Sequence, residues 1–302
     1  MVHAADLVPA VLFLIAYTVY FVLLVYLYAT KAILWKSRYS FVFTHVVFRL
    51  VGMALGVAFA SMEWQGEDGG ERVNVLIAYL VFAAEGYFSL ILCAYRFLVV
   101  WMQDRFGASY LEPRIPKGTP RREKFRMHLR APLVSVHYAL IAANALIITG
   151  SSYMVGAMDQ EDPRHESKLD KAKGLRVAGT AVFLAIVQAH LAVCLHMWRK
   201  RRDRTLFLIA FTWPFLTVRD VSPDAYGSSG FSSTFLAGEH CMGTLMEWIA
   251  CGLLLSTHFS AINGGDELRE DGVSDDEKRE GAEDGQALQM RRSSEPKSGV
   301  SV

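Results

Sequence analysis

Six long apolar runs dominate this 302-residue chain: Leu7–Tyr28, Phe41–Met62, Val73–Trp101, Ala131–Val155, Leu175–Trp198 and Glu239–Ile262. A helix needs about 20 predominantly apolar residues to cross a hydrocarbon core of about 30 Å. Backbone groups inside lipid must be satisfied internally, so continuous runs of this length restrict the chain to a bundle of membrane helices. A seventh run, Thr205–Val218, is shorter and stops at Arg219-Asp220. Its length fits a span or a re-entrant segment. Counted as a span over residues 205–221, it gives an all-α, polytopic bundle of seven transmembrane helices within residues 1–262.

Loop charge orients the bundle, because Lys and Arg concentrate in short cytosolic loops. The first loop carries Lys31, Lys36 and Arg38. The third carries eight basic residues between Arg105 and Arg130, and the fifth is Arg199-Lys200-Arg201-Arg202 with Arg204. The second is acidic (Glu63, Glu67, Asp68, Glu71), the fourth is mixed, and the sixth, over 221–238, has no Lys or Arg. Odd loops therefore face the cytosol, which puts the N-terminus outside and, with seven spans, the C-terminus inside. The first run lacks a preceding basic region and exceeds a signal h-region, so it reads as a retained span. Residues 263–302, rich in acid, Gly and Ser and without aromatics, read as a disordered cytosolic tail. Arg291-Arg292-Ser293-Ser294 within it has the form of a basophilic kinase site.

Charges at membrane depth are costly and tend to face the bundle interior and pair, so each is informative. At about 1.5 Å per residue, Arg49 lies roughly 12 Å above the inner edge of the core, and so does Glu85. Arg49 shares a face with His45, Gly52 and Gly56, and the two glycines form a small-xxx-small pair suited to close helix packing. An Arg49–Glu85 ion pair between the second and third spans is expected. By the same count Glu247 lies about 12 Å and Arg219 about 9 Å below the outer surface. An Arg219–Glu247 contact is expected, opening toward an outer cavity bordered by Asp220, Glu239 and His240. Burial leaves Glu247 either ionised against Arg219 or protonated. Arg49, Glu85, Arg219, Glu247 and His240 are thus the candidates for ligand binding or gating.

The tyrosines and tryptophans, Tyr17, Tyr20, Tyr26, Tyr28 and Trp35 among them, read as interface or lipid-facing residues. Four scattered cysteines give neither a disulfide framework nor a CxxC site. There is no HExxH or paired Asp/His set, so neither a metal nor a hydrolase mechanism is indicated. Nothing points to an enzyme, a cofactor or nucleic acid.

Short motifs carry a resemblance. Phe48-Arg49-Leu50-Val51-Gly52 with Gly56, Ala84-Glu85-Gly86-Tyr87, Trp213-Pro214-Phe215-Leu216-Thr217-Val218-Arg219 and Leu245-Met246-Glu247-Trp248 follow one another along the chain. In that order they resemble an uncharacterised fungal family of seven-span integral membrane proteins. The chain is more loosely similar to the fungal lipid-translocating exporter-like family linked to aminocholesterol resistance. It departs from the pattern at Asp220 and Ser222-Pro223, which follow Arg219. The resemblance implies a multipass protein of the plasma membrane or endomembranes that handles a lipid or other amphiphile. The alternative is a seven-span receptor or sensor signalling to a cytosolic partner through the basic loops. A rhodopsin-type retinal Schiff base has no attachment point, since no Lys lies between Glu239 and Ile262.

Overall fold

The structure is a computed structural model, and it describes residues 4–35, 37–62, 69–107, 109, 111–112, 120, 122–123, 132–156, 165–225 and 239–262. Apart from short turns and connecting residues, the described residues are helical, and they contain no strand. In chain order the helices are α1 (Ala4–Ala29), α2 (Tyr39–Ser61), α3 (Gly69–Phe106), α4 (Pro132–Gly156), α5 (His165–Lys200), α6 (Arg204–Ala225) and α7 (Leu245–Ile262). A π-helical turn, Glu239–Thr244, leads directly into α7. The chain divides into a helical body, Met1–Thr257, and a C-terminal unit, His258–Val302.

Helices α1 to α5 are long and apolar enough to cross a membrane, over Leu7–Ala29, Tyr39–Ser61, Val73–Phe106, Val134–Met154 and Glu166–Lys200. This is a helical, membrane-embedded protein. Helices α6 and α7 are not among the five. Yet α6 does not stop at the charge that ends its apolar run. It continues past Arg219 to Ala225, 22 residues in all, a length of about 33 Å at the rise of an α-helix. Helices α3 and α5 also outrun their apolar cores. Hydropathy marks the bilayer, whereas backbone hydrogen bonding continues into water, so α5 begins at His165 rather than Leu175. Most of the third loop, the sixth loop and the tail lie outside the described residues.

Exposure patterns fix the packing. Helix α1 buries Ala10, Tyr17 and Leu24, seven residues apart, and exposes Val8, Leu12, Ile15, Val19, Val22 and Val25. One narrow stripe faces the bundle and a broad apolar face remains for lipid. Helix α3 is the opposite case. From Leu90 to Met102 it is buried on nearly every side, with Leu90, Ile91, Cys93, Ala94, Phe97, Leu98 and Val99 all inaccessible. It touches α2, α4, α5 and α6, and so forms the axis of the body. Consecutive helices pack in order from α1 to α6, and the π turn before α7 packs on both α6 and α1.

Glycines set the closest approaches. Association of helices in lipid depends on packing, which favours small residues at the seam. As the small-xxx-small spacing predicts, Gly52 and Gly56 of α2 face Phe82 and Tyr79 of α3. A Cβ added there would lie 3.5 Å and 3.3 Å from those side chains. The α4–α5 seam is tighter. A Cβ at Gly179 would sit 2.7 Å from the Ala143 carbonyl and 2.6 Å from Ile147 Cγ1, whereas one at Gly174 would meet nothing within 4 Å. Gly179→Ala should therefore cost about 1–3 kcal/mol by overpacking. Gly174→Ala should be neutral or stabilise by about 0.5–1 kcal/mol through helix propensity. Unfolding midpoints of the two variants in one detergent check this contrast, and equal shifts would refute it.

At the end of the body that holds the α5–α6 turn, polar contacts pin the turns. The Asp203 carboxylate accepts from the Thr205 backbone N–H at 2.9 Å, capping α6, and also meets Arg105 Nη2 of α3 at 3.0 Å. Here Asp203 satisfies a helix-terminal donor that has no intrahelical partner.

Candidate functional site

Two buried arginines converge on one carboxylate. Glu247, in the first turn of α7, is completely buried. Its Oε1 accepts from Arg219 Nε of α6 at 2.5 Å, and its Oε2 pairs with Arg49 Nη2 of α2. Both arginines are buried as well. A carboxylate can accept two N–H groups on separate oxygens, so one glutamate joins three helices.

The contact between Arg219 and Glu247 is the one expected from their matched depths. The Arg49–Glu85 pair is not formed, and this corrects the expectation from depth. Among the described residues, Arg49 pairs with Glu247, while Glu85 accepts a hydrogen bond from Asn144 Nδ2 of α4 at 2.6 Å. Adjacent helix positions point about 100° apart, so Glu85 turns toward α4 and Gly86 toward α2. Gly86 is what lets Arg49 through. A Cβ at Gly86 would lie 2.8 Å from Arg49 Nε, so the Arg49 side chain passes close against the bare backbone of α3 and reaches α7. Depth compares backbone levels only, and an arginine side chain spans the remaining turn.

Gly243 gives Arg219 similar room, since a Cβ there would lie 3.2 Å from Arg219 Cδ. The Arg219 guanidinium also lies 5.1 Å from the centre of the Tyr87 ring, within range of a cation–π attraction. Tyr87 is anchored in turn, its hydroxyl donating to the Leu216 carbonyl at 3.0 Å. His240, the fifth candidate, lies in the π turn, but its side chain falls outside the described residues, as do those of Asp220 and Glu239. The outer cavity they were expected to border is therefore not described.

Other buried polar groups lie beside Arg49 and Gly86. His45, one turn before Arg49, donates through Nδ1 to the Gly86 carbonyl at 2.8 Å, and Ser89 Oγ donates to the same oxygen at 2.7 Å. Tyr17 of α1 is fully buried, its ring 5.9 Å from that of His45. Tyr17 is thus an interior residue, not an interface or lipid-facing one. Tyr26 and Trp35, 62% and 65% exposed, do face outward. The signal that separates them is position: Tyr17 shares the seven-residue stripe with Ala10 and Leu24.

A buried histidine of α5, His190, is packed among aromatic rings of α3 and α6. His190 stacks on Trp213 at 5.0 Å and meets the edge of Tyr95 at 4.9 Å, while its Nδ1 donates to the Ile186 carbonyl at 2.6 Å. It behaves as a satisfied interior histidine. Among the described residues no group of His, Cys, Asp and Glu is placed to hold a metal ion. No protein-family model matches this chain, and neither does any curated protein or any solved structure.

Proposed function

We propose that this is a seven-span protein that binds or moves an amphiphile, with the Arg49–Glu247–Arg219 network as the polar contact for its head group. The observation that carries the reading is the network itself: three charged side chains buried together where charge is costly. Ionisable groups in that position mark ligand or ion pathways by default. Seven spans, with the N-terminus outside and the C-terminus in the cytosol, are favoured by the alternation of loop charge. The 22 residues of α6 supply enough length for the span that hydropathy alone leaves short. The resemblance to fungal seven-span proteins points the same way. The receptor alternative rests on the basic third loop, most of which lies outside the described residues.

The test is an unbiased lipid and metabolite analysis of purified protein by mass spectrometry. The wild type should carry a co-purifying amphiphile, and the charge-free Arg49→Met/Arg219→Met/Glu247→Met variant should lose it while remaining folded. An identical bound content in the two proteins would refute the reading.

A further inference from the structure

Three buried polar atoms at and beside the ion network lack hydrogen-bond partners. The Tyr17 hydroxyl, His45 Nε2 and Arg49 Nε make no hydrogen bond. Each belongs to a residue at most 2% exposed. Such groups are rare in a folded interior because each forfeits its hydration without replacement. Here they belong to neighbours: His45 and Arg49 are four residues apart on one face of α2, and Tyr17 meets His45 ring to ring.

Their chemistry is mixed, and that defines what fits them. Gly86 O can only accept, so His45 Nδ1 must carry the proton that it donates. In the neutral ring Nε2 then presents a lone pair. Arg49 Nε–H is a donor only, and the Tyr17 hydroxyl can do either. One acceptor and one or two donors thus lie on neighbouring side chains. A carboxylate or phosphate would set its oxygens against the Nε2 lone pair, and an ammonium would set its charge against the Arg49 guanidinium. A hydroxyl both donates and accepts, and so matches all three.

The way in is also marked. Helix α1, which supplies Tyr17, turns most of its surface outward. Its seam with α7 is closed by Tyr20, stacked on Trp248 at 5.1 Å and seated against Gly252. Lateral displacement of this aromatic pair would open the seam from the bilayer toward Tyr17.

We infer that Tyr17, His45 and Arg49 form a subsite for the hydroxyl of an uncharged, alcohol-headed amphiphile entering between α1 and α7. This deepens the proposed function and rests on it. The experiment uses the full chain in phosphatidylcholine nanodiscs with three photoreactive probes of equal chain length: an alkanol, an alkanoate and an alkylammonium. Each carries its diazirine beside the head group, and labelled residues are mapped by mass spectrometry.

The alkanol should label the α1 or α2 segment around Tyr17 and His45 at least about tenfold more than the other two probes, the ratio expected from one mispaired hydrogen bond. Tyr17→Phe, which removes only the hydroxyl, should cut that labelling several-fold without moving the unfolding midpoint downward. Preferential labelling there by the alkanoate or the alkylammonium would overturn the hydroxyl subsite and leave the amphiphile reading standing. So would undiminished alkanol labelling in Tyr17→Phe. Absence of any labelled interior residue with all three probes would overturn both.

Discussion

Replacing Glu247 with Gln is expected to destabilise the helical body by about 3–5 kcal/mol. The isostere keeps the shape but removes the charge that balances Arg49 and Arg219, and both guanidiniums are buried with it. Breaking a buried ion network costs far more than the network contributes, because charges are left without compensation. The same logic predicts the rescue. Arg49→Met/Glu247→Leu/Arg219→Met should recover most of the loss, since replacing the whole set by apolar side chains removes the desolvation cost as well. Unfolding midpoints of the three proteins in one detergent decide it. A Gln variant as stable as the wild type would mean that Glu247 is not the shared counter-charge.

Trp213→Ala should be the most damaging change away from the charges, at about 3–5 kcal/mol. Trp213 is fully buried and lies flat on His190 of α5, 13° from parallel. In lipid the loss comes from the cavity rather than from transfer out of water, because helix association depends on packing contacts. Leu12→Ala is the comparison. Leu12 is 60% exposed on the outer face of α1, and truncation there should stay within about 0.5 kcal/mol. Equal losses at the two positions would contradict the packing assigned to α6.

Much of the fold is legible in the sequence, and the reasons are physical. Apolar runs of bilayer length mark α1 to α5, and small residues at i and i+4 place α2 on α3. The helix ends are less legible, as α5 and α6 show, because hydropathy reports on lipid and not on backbone hydrogen bonding. Within the site, the Arg219–Glu247 contact follows from matched depth and opposite charge. The Arg49–Glu247 contact does not, because it depends on Gly86 clearing a path across α3. A glycine can be read as permitting close approach, but not as saying which of two carboxylates lies beyond it. Tyr17 is less legible because tyrosine also favours membrane interfaces, although its seven-residue spacing from Ala10 and Leu24 puts it on the buried stripe.

Arg49 is committed to Glu247 inside the bundle. A double-mutant cycle in nanodiscs, Arg49→Met against Glu247→Leu, isolates that coupling from the cost of each change alone. The structure predicts a coupling of about 2 kcal/mol or more, within the range for residues in one network, and near zero for the parallel cycle of Arg49→Met against Glu85→Leu. Strong coupling of Arg49 to Glu85 with none to Glu247 would contradict the account.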